Sequence, residues 1–134
     1  MKLGVVSDTH DDLDSVEAAV SHFEREGVAV VVHCGDLVAP FSATPFDADF
    51  EFHAVRRNHD GEWNLREVVE EFGTYHDEFA HLTLDGDEVA VYHGTEAALV
   101  DALVDSGAYD YVLRGHTHEK TLDHRGGTVH LNPG

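Results

Sequence analysis

The chain has 134 residues, 42% of them hydrophobic, enough for one domain with its own core. Its 27 Asp and Glu against 8 Lys and Arg give a formal charge of −19, a surface that repels phosphate backbones and weighs against stable nucleic-acid binding. No apolar run approaches the ~20 residues of a membrane span, and the single cysteine, Cys34, rules out an internal disulfide framework and fits a reducing cytosol.

Met1-Lys2-Leu3-Gly4 runs straight into a strand-like segment ending at Val6, with no signal-peptide pattern, so a cytoplasmic location is expected. That strand closes in Ser7-Asp8-Thr9-His10. Asp8 and His10 flank one residue at the C-terminal end of a strand, where open α/β sheets place their ligand sites. A hard carboxylate beside a borderline imidazole suits Mn, Fe, Ni or Zn. Asp11 or Asp12 can cap the helix that follows, in which Leu13, Val16, Ala19, Val20 and Phe23 recur at helical spacing before Gly27 stops it.

Val28 to Cys34 reads as a second buried strand, and the strand–helix–strand unit implies parallel pairing. Gly35-Asp36 follows at once, a carboxylate at a strand's end and equally a common turn pair. His33 and Cys34 read as core residues, not ligands. After a loop and short helix over 37–46, Phe50 to Val55 is predicted as a third strand leading through Arg56-Arg57 to Asn58-His59-Asp60-Gly61. Asn58 offers a carbonyl oxygen to a cation and His59 can handle protons, but the same four residues are good turn chemistry, and both readings stay open here.

Leu65, Val68, Val69 and Phe72 predict a helix over 62–72, closed by Gly73. The segments 79–84 and 88–92 flank Asp85-Gly86, a strong hairpin signal, and the second ends at His93-Gly94. Thr95 is expected to cap a helix over 96–105 that turns Leu99, Ala102 and Leu103 inward. A strand over 109–113 then leads to Gly115-His116-Thr117-His118. Two imidazoles one residue apart suit one cation poorly, whereas two cations side by side can take one each. Segments 119–123 and 128–131 are expected to form a last hairpin across His124-Arg125-Gly126-Gly127.

Asp-x-His, Gly-Asp, Asn-His-Asp, His-Gly and Gly-His-x-His thus close five strand ends in that order. The ordered set resembles the calcineurin-like metallophosphoesterases, nearest to the small YfcE-like phosphodiesterases of bacteria and archaea, over nearly the whole chain. The tract His93-Gly94-Thr95 and the terminal Asn132-Pro133-Gly134 strengthen the likeness. The resemblance implies a four-layer α/β/β/α sandwich of two mixed sheets flanked by helices, with two divalent metal ions in one cleft. It places Asp8, His10, Asp36 and His118 on one metal, and Asp36, Asn58, His93 and His116 on the other, with Asp36 bridging. Manganese is the first expectation; nickel, iron, cobalt and zinc are the alternatives. The implied activity is phosphodiester hydrolysis by a metal-bridging hydroxide, with His59 as general acid, on a small phosphate ester. The same fold serves the non-catalytic retromer subunit of eukaryotes, so an interaction scaffold is the alternative; a site that only steadies the fold is a third.

The chain departs from the family pattern in places. Arg57 stands where the family usually has Gly, which implies a reshaped turn, a contact from Arg57 or Arg56 to the substrate phosphate, or a plain surface arginine. Asp11 replaces another common Gly. Where the wider superfamily often has an Asp to orient its histidine, this chain has Ala39. The family usually continues past Asn-Pro-Gly into a further strand, so one strand of the usual domain is expected to be missing at Gly134. The acids are dispersed along the chain instead of gathered in a tail, which favours adaptation to high salt over a basic partner. The oligomeric state is left open.

Overall fold

A computed structural model describes residues 2–10, 12–37, 43–56 and 63–134. Arg57, Asn58 and His59 fall outside them, as do Asp11 and Ala39. The first half of the chain alternates strand and helix: β1 (Leu3–Val6), α1 (Leu13–Arg25), β2 (Val30–His33), a 3₁₀ turn (Thr44–Phe46), β3 (Glu51–Ala54), α2 (Trp63–Glu70) and β4 (Thr74–Tyr75). Each return to the sheet by a crossover makes the next strand parallel, and the order is β1-β2-β3-β4 with every pair parallel. The second half gives β5 (Phe79–Leu84), β6 (Asp87–Tyr92), α3 (Ala97–Asp105), β7 (Tyr111–Leu113), β8 (Thr121–Arg125) and β9 (Thr128–Asn132). These strands form a mixed sheet ordered β5-β6-β7-β9-β8, with antiparallel hairpins at both edges and parallel pairs between.

The alternation of side chains along the strands makes the layers. Val31, Phe52 and Ala54 face Val16 and Val20 of α1 and Leu65 and Val69 of α2. Their neighbours Val30, Val32 and Val55 turn the other way and meet Ala80, Leu82, Val89, Val91 and Leu113 of the second sheet. On the far side Ala90 and Val112 pack under Val100 and Val104 of α3. The result is the four-layer α/β/β/α arrangement, with the first sheet parallel throughout its described strands and only the second mixed. No helix among the described residues is long and apolar enough to cross a membrane.

Local signals act where the sequence places them, with four exceptions. In α3 the buried face is Val100 and Val104, while Leu99 and Ala102 are exposed and Leu103 is half-buried, so the expected inward set of Leu99, Ala102 and Leu103 is off by one position: the helix turns the neighbouring valines to the sheet. Asp12 caps α1, its carboxylate accepting from the Ser15 amide at 3.3 Å and the Ser15 hydroxyl at 2.8 Å. Thr95 is not the cap of α3: that helix begins after Glu96 without a side-chain cap, and the Glu96 amide donates to the Tyr92 hydroxyl at 3.2 Å. The strand β4 has two residues, too few for any alternation to show in sequence. In the last hairpin His124 and Arg125 belong to β8, and only Gly126-Gly127 turns, because two adjacent glycines at positive φ suffice to reverse the chain.

Candidate metal centre

Parallel strands of both sheets end on the same side of the molecule. β1 delivers Ser7-Asp8-Thr9-His10, β2 delivers Cys34-Gly35-Asp36, β6 delivers His93-Gly94, and β7 delivers Arg114 through His118. Backbone hydrogen bonds lock these ends together: Asp8 N to Gly35 O at 3.0 Å, His10 N to Asp36 O at 2.9 Å, and Gly115 N to His93 O at 2.9 Å.

At the centre, Asp8, His10, Asp36 and His118 each present a ligand atom within 4.8 Å of the others. The side chains of Asp8 and Asp36 are only 3% and 4% exposed and form a floor, while His10 and His118, at 49% and 57%, form a rim. His10 Nε2 lies 2.9 Å from Asp36 Oδ2, and His118 Nε2 lies 3.3 Å from Asp8 Oδ1. The two rim rings meet edge to face at 5.5 Å. His93 is buried beside this group, and the ring of exposed His116 stacks against it edge to face at 5.2 Å. Six of the seven expected metal-ligating residues therefore gather in one cleft, and Asn58, the seventh, lies outside the described residues, as do His59 and Arg57.

The hydrogen bonds fix which atoms face inward. His93 Nδ1 is 2.8 Å from the Cys34 carbonyl, which can only accept, so Nδ1 carries the proton and Nε2 keeps its lone pair. Burial holds His93 below the ordinary imidazole range, the Cys34 carbonyl opposing, so the ring stays neutral near pH 7. Asp8 Oδ2 accepts from the Ser7 hydroxyl at 2.6 Å and the His116 amide at 2.9 Å. Burial alone would raise the Asp8 carboxyl; those two donors, with His93 and His118 nearby, hold it below its usual value and keep it ionised. Asp8 Oδ1 and His93 Nε2 are buried and have no hydrogen-bond partner. Two buried electron-rich atoms without donors fit cations as their missing partners. Hard carboxylates with borderline imidazoles are a donor set for a first-row divalent metal.

Backbone geometry is unusual at the same residues. Asp8 (φ 55°), His10 (52°), Asp36 (71°), His116 (74°) and His118 (59°) occupy the left-handed region; the only other non-glycine there among the described residues, Asp85, starts the β5–β6 turn. Such conformations cost about 1–2 kcal/mol per residue and gather where a site needs side chains aimed against the run of the chain. Two glycines make room for the assembly. A Cβ on Gly35 would lie 2.7 Å from His93 Nδ1, and one on Gly115 would lie 1.8 Å from Ser7 Oγ and 2.4 Å from Asp8 Oδ2.

Supporting residues were less visible in sequence than the acids and imidazoles. Arg114 donates from Nε to Gly115 O at 3.0 Å and from Nη2 to Gly94 O at 3.1 Å, tying the His93 and His116 turns together. Asn132 donates to Gly115 O at 3.3 Å and Thr117 Oγ1 at 2.9 Å from behind the last turn. An arginine closing an apolar strand was the available sign for Arg114; nothing local marks Ser7.

Residues 1–134 match the family model of the calcineurin-like phosphoesterase superfamily domain. A phosphodiesterase of Methanocaldococcus jannaschii is 33% identical over 138 residues, spanning 100% of this chain and 83% of the relative. The solved structure of an archaeal phosphodiesterase superposes with a TM-score of 0.94 at 33% identity, over 100% of this chain and 84% of that one. YfcE, a phosphoesterase of E. coli, superposes with a TM-score of 0.74 at 22% identity, over 100% and 79% of the two chains. Vps29 of Cryptosporidium parvum gives 0.74 at 15% identity, over 98% and 72%. The last two likenesses are likenesses of fold.

Proposed function

The chain belongs to the calcineurin-like phosphoesterase superfamily and is a metal-dependent phosphoesterase, and from that premise we propose that it hydrolyses small phosphodiesters with two divalent cations, manganese first, held in the cleft. The observation that carries this reading is the convergence of Asp8, His10, Asp36 and His118 within 4.8 Å. In the proposed assignment these four residues hold one cation, and Asp36 shares the second with Asn58, His93 and His116. Cations bound there supply Lewis-acid polarisation of the phosphate oxygens and activation of water.

The chain's own residues do the rest. The buried carboxylates of Asp8 and Asp36 balance the positive charge that a phosphodiester anion meets on entry. The Cys34 carbonyl keeps the His93 lone pair pointing into the site. His10 and His118, on the rim, stand where a substrate enters. His59 donates a proton to the leaving alkoxide, which is too basic to depart unaided, and Arg57 neutralises a non-bridging phosphate oxygen. A scaffold without catalysis, the alternative suggested by the shared fold, needs this donor set at most to steady the fold.

The test is hydrolysis of bis(4-nitrophenyl) phosphate with added Mn in high salt. Activity that disappears on chelation and returns with Mn is expected, with Asp36→Ala at background. Equal rates for Asp36→Ala and the parent would overturn the assignment.

A further inference from the structure

The turn after β1 and the turn after β2 are joined by one buried side chain that is not among the four converging residues. His33 is fully buried at the end of β2. Its Nδ1 receives the Gly35 amide at 3.1 Å, and an amide can only donate, so Nδ1 carries no proton. Nε2 therefore carries it and donates to Thr9 Oγ1 at 3.0 Å. Thr9 is the residue between Asp8 and His10, and Gly35 immediately precedes Asp36. A single imidazole thus spans the two turns that supply three of the four converging residues, all three in left-handed conformations.

An imidazole is an expensive way to fill this position. Its strand neighbours Val30, Val31 and Val32 show that an apolar side chain packs well there, and burial pushes the His33 ring down to about 3. The His33 and Phe46 rings meet edge to face with centroids 5.7 Å apart. The backbone bonds between the turns hold Asp8 and His10 at either end, and the His33–Thr9 bond holds the residue between them from the buried side. Drawing Thr9 under the turn is what sends its two neighbours the other way, into the cleft.

We propose that His33 is a positioning residue of the metal centre: a neutral clasp that grips Thr9 and Gly35 so that Asp8, His10 and Asp36 converge on a divalent cation. The inference rests on the reading of that cluster as a metal site. Partners that orient ligands in this indirect way typically alter metal affinity by about 10- to 100-fold when removed.

The experiment compares Thr9→Val, Thr9→Ser and His33→Asn by calorimetric titration with Mn, each on folded protein well below its melting temperature. Valine keeps the shape of threonine and loses the acceptor; serine keeps the acceptor and loses a methyl group. Asparagine retains an acceptor for Gly35 but falls short of Thr9. A clasp predicts that T9V and H33N bind Mn about 10- to 100-fold more weakly while T9S stays within about threefold of the parent. A residue that merely fills space predicts the reverse order, with T9V better than T9S. T9V within about threefold of the parent, or T9S as weak as T9V, overturns the clasp; should T9V not fold, the contrast of H33N with T9S decides in the same way. A parent protein that binds no Mn overturns the metal-centre reading itself, and the clasp with it.

Discussion

His93 Nε2 stands 3.7 Å from Asp8 Oδ1, both atoms buried and neither hydrogen-bonded. A lone pair thus faces a carboxylate oxygen with no donor for either, an arrangement that favours unfolding until cations bind there. Metal should therefore stabilise the fold strongly, by about 2.7 kcal/mol at a hundredfold excess over Kd. Asp8→Asn should melt at the same temperature as the metal-free parent or higher, and lose most of the increment that Mn gives. Scanning calorimetry with chelator and with Mn checks both halves of the expectation.

Acid should unfold the metal-free protein early. The folded pKa of His33 is depressed to about 3 by burial, so the unfolded chain binds the proton more readily. Stability is then fully present above the unfolded value near 6.5 and drains away as the pH falls toward 3, by roughly 4–5 kcal/mol from this one ring. His93, His76 and His130 are shifted in the same direction by burial and add to the slope. Urea melts between neutral and mildly acidic pH should show the loss, and His33→Asn should flatten it.

Gly115→Ala should be among the most damaging single changes in the chain. The added methyl would sit inside Ser7 Oγ and against Asp8 Oδ2, and to make room both must give up their mutual hydrogen bond or the one from the His116 amide. A loss of about 3 kcal/mol is expected, together with loss of metal binding, measured by urea melting and Mn titration. Gly86→Ala, at a hairpin turn with open space around the added carbon, should bind Mn as the parent does.

With a formal charge of −19, the folded chain repels itself. Screening shortens that repulsion from about 10 Å at 0.1 M salt to about 3 Å at 1 M. The melting temperature should rise steeply with KCl and level off once the acids are screened. A flat profile would refute the reading of the acids as salt adaptation.

The elements and most of the site were legible because each ligand motif directly follows an apolar run. Val5-Val6 before Ser7-Asp8, Val31-Val32 before Gly35-Asp36, and Val112-Leu113 before Gly115-His116 all announce a strand and then a break. What could not be read is what acts across space. His33 looks like core by its neighbours, and it is core; that its two nitrogens reach a threonine 24 residues earlier and an amide two residues later belongs to the packing alone. Arg114 and Asn132 act on backbone carbonyls, which leave no trace in sequence. The cap at Thr95 failed because the helix starts one residue later, with Glu96 in extended backbone at the cap position.

The five left-handed residues around the cleft have an evolutionary corollary. Together they withhold some 5–10 kcal/mol from the fold, comparable with the whole margin by which a domain stays native. A descendant released from catalysis could replace them with glycine or asparagine and become sturdier at each step. Ancestry along this route runs downhill from enzyme to scaffold, and the return journey would have to rebuild the strain before any activity rewarded it.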